Sequence, residues 1–192
     1  MKIHDSGMPE VQMWESFFNQ ESILSKLQLT AKINDVVEFG CGYGTFSIPA
    51  ASIVRGKVHA LDIEQEMLDI TNSYAQREQL LNVKCILRDF ISDGSGLPDN
   101  SVDYAMVFNI LHTEQPVELL KEAFRVLKVK GIVGIIHWNH DATTPRGPTM
   151  DIRPRPEQCI RWAEQAGFKL INDDIVDLPP YHYGIVLIKP GI

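Results

Sequence analysis

Glu38 is followed by glycines at 40, 42 and 44, inside the stretch VVEFGCGYGTFS at 36–47. An apolar run precedes these residues and a helix-like pattern follows. A carboxylate beside three closely spaced glycines can hold a ligand. The glycines let a molecule lie against the main chain without a Cβ in the way, and the acid supplies negative charge. A plain tight turn would need one glycine, not three. The dinucleotide fingerprint G-x-G-x-x-G/A fails at its last position, which holds Thr45. No G-K-[ST] follows, so a phosphate would find no P-loop lysine. The pattern is E-x-G-x-G-x-G.

Other residues offer different chemistry. His137 and His140 sit in HWNH, which imitates a metal pair, but no third and fourth ligands accompany them, so no metal site is expected. Cys41, Cys85 and Cys159 are far apart with no CxxC, which fits reduced thiols and a cytoplasmic protein. Arg146, Arg153 and Arg155 form a local basic cluster in a chain of net charge -7. Guanidinium groups suit carboxylate and phosphate geometry, so this cluster is a candidate for an anionic or polar acceptor. The overall acidity disfavours nucleic acid as a partner.

The elements that must position these groups are legible along the 192 residues, a length that suits one domain. Apolar residues make up 44% and charged residues 22%. No run approaches the ~18 apolar residues of a membrane span, and MKIHDSGMPE has no apolar signal core. Residues 1–30 read as a helical N-terminal arm with a break near Asn19. Residues 35–138 form the core that would hold a ligand. Within it, DVVEF, KVHALDI, VKCIL, VDYAMVFNI and IVGIIHW read as strands. Helices are expected over Thr45–Val54, over Gln65–Gln79 and from Pro116. Residues 139–155 are too rich in proline and polar residues for either periodicity and form a long substrate-side loop. Residues 156–192 read as a closing helix, ending at Gly167, and two strands, FKLINDDIV and YHYGIVLIK. This order predicts a Rossmann-like α/β fold. It has a seven-stranded, mostly parallel sheet, helices on both faces and one antiparallel strand near the C-terminus. Ligands bind such sheets at the carboxyl ends of the strands.

VVEFGCGYGT resembles motif I of the class I S-adenosylmethionine-dependent methyltransferases. The resemblance runs from about Asp35 to Gly131 and includes ALDIEQEML, LRDF, FNILHT and AFRVLKVKG, in the family's order. The arrangement is similar to the menaquinone/ubiquinone-biosynthesis, type 11 group. It departs from the family at Val129 and Lys130, where proline and glycine are usual. The resemblance implies S-adenosylmethionine as cofactor and S-adenosylhomocysteine as product. It places the methionyl and ribose portions on Gly40, Cys41, Gly42 and Gly44, the α-ammonium near Glu38 and the ribose diol on Asp62. Ile63 and Met67 would touch adenine, Asp89 and the Phe90 main chain would bond its edge, and Asn109 would lie beside the methionyl group.

Methyl transfer from a sulfonium needs alignment first, worth ~7–11 kcal/mol, and a base only when the acceptor must lose a proton. His112, just beyond the fourth strand, is the candidate base. NILH stands where a DPPY-like tetrapeptide would point to an amide or exocyclic amine. Trp14, His137, Trp138, Arg153 and Arg155 are candidate contacts to a small-molecule acceptor. Three other readings stay open: a protein that binds the cofactor without turnover, a protein or RNA methyltransferase, and an NAD-linked oxidoreductase.

Overall fold

The computed structural model describes residues 9–172 and 175–191. Helices α1 (Val11–Glu15) and α2 (Gln20–Lys26) make up the described part of the N-terminal arm expected over residues 1–30, of which 1–8 lie outside the described residues. Asn19 separates them by capping α2, its side chain accepting from Ser22 N. The chain then alternates through β1 (Val36–Phe39), α3 (Ser47–Ile53), β2 (Val58–Asp62), α4 (Gln65–Arg77) and β3 (Val83–Leu87). β4 (Val102–Phe108), α5 (Pro116–Val126), β5 (Leu127–Trp138) and α6 (Pro156–Gln165) follow. It closes with β6 (Lys169–Leu170), β7 (Val176–Leu178) and β8 (His182–Ile188).

The sheet order is β3-β2-β1-β4-β5-β8-β6, with β7 also paired to β8. Strands β1 to β5 pair in parallel and β8 runs antiparallel to its neighbours. The run expected as one penultimate strand is two short pieces, β6 and β7, which pair with successive stretches of β8. The seven expected strands are therefore eight segments.

Both faces of the sheet are covered, so the central strands are largely apolar. In β4, Ala105 and Val107 face the layer of α5 and α6, while Tyr104, Met106 and Phe108 face the N-terminal arm and α3. Two glycines make room for that arm. A Cβ on Gly134 would collide with the Tyr104 hydroxyl, and one on Gly184 would lie 2.7 Å from Leu27. The Tyr104 hydroxyl instead donates to Leu27 O at 2.8 Å.

β5 starts earlier than expected, at Leu127, but its pairing with β4 shifts register before Ile132. Lys130 takes a left-handed φ of 66° in this irregular stretch, and its N–H donates to Lys189 O at 2.9 Å. The departure from proline and glycine at 129–130 is thus absorbed by a lysine in a glycine-like conformation. No helix among the described residues is long and apolar enough to cross a membrane.

Candidate active site

The carboxyl ends of the parallel strands share one edge of the sheet. A cavity of about 340 Å³ lies there. The turn after β1 lends Glu38, Gly40, Cys41 and Gly42 to its walls, and the segment after β4 lends Asn109 and His112. Trp138 from the end of β5 and Trp14 from α1 add aromatic surface. These eight expected residues are brought together.

The turn is held by its own backbone. Gly40 and Cys41 both donate to Leu61 O, at 2.9 and 2.8 Å. Gly40, Gly42 and Gly44 all have positive φ, which favours glycine at each. Their reasons for lacking a side chain differ. A Cβ on Gly40 would lie 3.2 Å from Ile110, whereas one on Gly44 would lie 2.8 Å from Thr71 Oγ1 in α4. Gly44 does not line the cavity; it is glycine so that the turn can pack on α4. Cys41 is buried with its sulfur near Thr71, and burial pushes its thiol well above the ordinary value. It is a packed thiol, not a nucleophile.

Glu38 is 2% exposed, and its Oε2 accepts from Ser47 Oγ at 2.5 Å. Burial raises its pKa to about 8, partly opposed by that hydrogen bond. A carboxylate so deprived of water favours a cationic ligand. Asn109 has a left-handed φ of 56° and is 8% exposed, and neither its Oδ1 nor its Nδ2 has a partner. Thr45 Oγ1 and His112 Nε2 are also buried without a partner, and both residues line the cavity. Buried polar groups without partners cost ~1–3 kcal/mol each, so their concentration here marks a place for a polar ligand.

The other expected cofactor contacts lie outside this cavity, along the same edge of the sheet. Asp62 ends β2 and is 8% exposed. Its Oδ2 accepts from Gly42 N at 2.9 Å and its Oδ1 from Glu64 N at 3.0 Å. Burial raises its pKa, against the pull of these N–H groups. Asp62 thus already orders the glycine turn, with lone pairs left over for a hydroxyl. Ile63 follows it, 36% exposed, and Met67 is half-buried on α4. Arg88 N donates to Asp62 O, which brings the end of β3 alongside. Beyond it, Asp89 accepts from the N–H groups of Ile91 and Ser92, and Phe90 packs edge-on against Phe39 at 5.5 Å.

Three expected acceptor contacts are placed differently. Arg153 is 6% exposed and does not reach the cavity. Its guanidinium donates to the carbonyls of Asn139, Asp141, Arg146 and Pro148 and to Thr144 Oγ1, so it ties together the 139–155 loop. Arg155 is exposed at the start of α6, where its N–H donates to Gln158 Oε1. His137 is fully buried in β5, and its Nε2 lies 3.3 Å from His112 Nδ1. Burial lowers His112 to about 4, so its ring is neutral near pH 7. Burial likewise holds His137 well below its ordinary value, and the His112 and His182 rings add to this.

Arg146, the one member of the basic cluster on the cavity wall, is joined there by residues that were not among the expected ones: Thr45, Phe46, Phe108, Ile110, and Gly147 with Pro148. The last two come, like Arg146, from the long loop that Arg153 holds. Among the described residues no group of three or more His, Cys, Asp or Glu could hold a metal ion.

The residues present fit S-adenosylmethionine. It carries a cationic ammonium for Glu38 and no phosphate. It also brings donors and acceptors for Asn109 and Thr45.

A family model described as a methyltransferase domain matches residues 36–131. The sterol 24-C-methyltransferase erg6 of Aspergillus fumigatus is 28% identical over 172 residues, 77% of this chain and 44% of that protein. A demethylmenaquinone methyltransferase of Geobacillus stearothermophilus is 34% identical over 95 residues, 48% of this chain and 40% of that one. The chain thus spans less than half the length of these curated relatives. The crystal structure of a SAM-dependent methyltransferase from Aquifex aeolicus superposes with a TM-score of 0.80 at 24% identity, covering 93% of each chain.

Proposed function

The chain belongs to the class I S-adenosylmethionine-dependent methyltransferases, and from that premise we propose that it methylates a small molecule bound beside His112 and Trp138. The observation that carries the reading is the lining of one cavity. It combines Glu38, Thr45 and Asn109, buried polar groups suited to a methionyl tail, with the aromatic side chains of Trp14, Phe46, Phe108 and Trp138. When bound, the cofactor supplies an activated methyl group on a sulfonium.

The chain's own residues bind and align. Glu38 takes the ammonium. Gly40 and Gly42 let the main chain approach, and Asp62 holds the turn and offers its remaining lone pairs to the ribose. Ile63, Met67, Asp89 and Phe90 lie further along the strand ends, on the β2 and β3 side, where an adenine would reach. Trp14, Trp138 and the 146–148 stretch would exclude water from the acceptor, so that alignment supplies most of the acceleration. Two curated relatives are named for a sterol and a demethylmenaquinone, and both names support a small-molecule acceptor.

The test is a screen of fractionated metabolites with the purified protein and S-adenosylmethionine, reading S-adenosylhomocysteine by mass spectrometry. Product formed with a small-molecule fraction and lost in Gly42→Val supports the reading. Turnover only with protein or RNA fractions would overturn the acceptor assignment.

A further inference from the structure

Resting on that reading, we propose that the acceptor is a small planar ring bearing a hydroxyl group. His112 takes the hydroxyl proton, and His137 fixes the tautomer that allows it. The two imidazoles meet because β4 and β5 are neighbours with Phe108 opposite Ile136, which brings the segment after β4 against the end of β5. Their rings are nearly perpendicular, at 82°, with His112 Nδ1 and His137 Nε2 3.3 Å apart. One hydrogen lies between these atoms. An imidazole that has accepted a proton carries hydrogen on both nitrogens, so in that state His137 Nε2 has to be the acceptor. The arrangement that needs no rearrangement on proton uptake therefore has His112 Nδ1–H donating to His137. That leaves the lone pair on His112 Nε2, a buried atom with no partner on a residue of the cavity wall.

The surroundings keep the proton on His112. His137 is wholly buried and stacked on Tyr183 at 6.3 Å, and charge on it is opposed by burial, by the neighbouring imidazoles and by Arg153. The cavity walls choose the rest of the molecule. Trp14, Phe46, Phe108 and Trp138 offer ring faces and edges, with Ile110 and Pro148 beside them, a lining suited to a flat apolar ring. Phe46 and Phe108 already pack edge to face at 4.9 Å, so this wall is fixed before a ligand arrives.

The step balances as follows. The ring oxygen gives a lone pair to the methyl carbon, and the carbon–sulfur bond breaks with its pair left on sulfur, which becomes a neutral thioether. The O–H bond breaks and its proton passes to His112 Nε2. A neutral imidazole of low basicity suffices, because the oxygen becomes strongly acidic as its bond to carbon forms.

The experiment uses 15N-histidine-labelled protein, with p-cresol as probe and 4-methylanisole as the probe lacking the hydroxyl hydrogen. Long-range 1H–15N spectra are expected to show His112 as the Nδ1–H tautomer in the free protein. p-Cresol should shift its Nε2 and bind ~5- to 10-fold tighter than 4-methylanisole, the worth of one buried hydrogen bond. His112→Phe should remove that preference. His137→Phe should move His112 to the other tautomer or a mixture; His137→Gln serves if that variant does not fold. An Nε2–H tautomer of His112 in the wild type, or equal affinity for the two probes, overturns the base assignment. An unchanged His112 tautomer in the His137 variants overturns the positioning role. Failure of both probes to bind overturns the acceptor class, while S-adenosylmethionine binding by the same sample would leave the methyltransferase reading standing.

Discussion

Ser47 Oγ donates to Glu38 Oε2 across 2.5 Å, joining the third residue of β1 to the first residue of α3 around the glycine turn. This bond is the main compensation for a carboxyl group otherwise shut away from water. The pKa of Glu38 is raised from 4.5 to about 8, with burial the largest cause. The contribution of Glu38 to stability is therefore fully present below pH 4.5 and is lost as pH rises through 8. Urea unfolding at pH 5 and pH 9 should show wild type losing stability relative to Glu38→Gln, on the order of a few kcal/mol. An ammonium group bound beside Glu38 would restore its charge. Titration calorimetry with S-adenosylmethionine at pH 7 in buffers of different ionisation enthalpy should then register about one proton released, and none with Glu38→Gln. A parallel pH profile for the two proteins would contradict the assignment.

Asp62 is expected to serve fold and ligand together. Asp62→Ala removes the hydrogen bond from Gly42 N in the glycine turn and the one from Glu64 N, and should lower stability by ~1–3 kcal/mol. Cofactor affinity should fall by a further ~1.5–3 kcal/mol, with little effect on an analogue lacking both ribose hydroxyls. Equal losses for the two ligands would confine Asp62 to ordering the turn.

Gly44 separates packing from binding. Its φ of 78° and the 2.8 Å approach of Thr71 predict that Gly44→Ala destabilises the fold by ~2–4 kcal/mol. Gly40→Ala, whose new Cβ would meet Ile110 at 3.2 Å, should cost less. Thermal unfolding of the two variants gives the comparison, and the reverse order would contradict it.

Arg153 should control the long loop. Arg153→Ala removes a buried cation and leaves the carbonyls of Asn139, Asp141, Arg146 and Pro148 without it. Limited proteolysis with trypsin should cut after Arg146 at least ~10-fold faster in Arg153→Ala, an opening free energy lower by about 1.4 kcal/mol. Arg155→Ala should leave the rate within roughly threefold of wild type. Equal cutting of Arg153→Ala and wild type would remove Arg153 from this role.

Much of this was legible in the sequence because it is local. Three glycines after Glu38 mark the turn, the alternation of strands and helices orders the sheet, and the proline-rich stretch reads as a loop. What was not legible depends on distant register. His112 and His137 meet only because β4 and β5 align, and periodicity does not display that. Arg153 was read as reaching a ligand because a guanidinium suggests anions. Thr144 Oγ1 apart, its partners are main-chain carbonyls, which every residue has and no sequence marks. The three glycines look equivalent in the string, yet only the position of α4 reveals that Gly44 serves packing. Gly147 and Pro148 were hidden for a related reason: the path of the loop is set by Arg153, several residues away.

The central claim is that the glycine turn and Glu38 hold S-adenosylmethionine. Equilibrium dialysis of the wild-type protein against labelled S-adenosylmethionine, with NAD in a parallel cell, measures this directly. The account predicts about one equivalent of S-adenosylmethionine bound, no retention of NAD, and loss of binding in a folded Gly42→Val variant through a Cβ branch at a φ of 52° on the cavity wall. Folded wild-type protein that retains NAD, or that retains no S-adenosylmethionine, would contradict it.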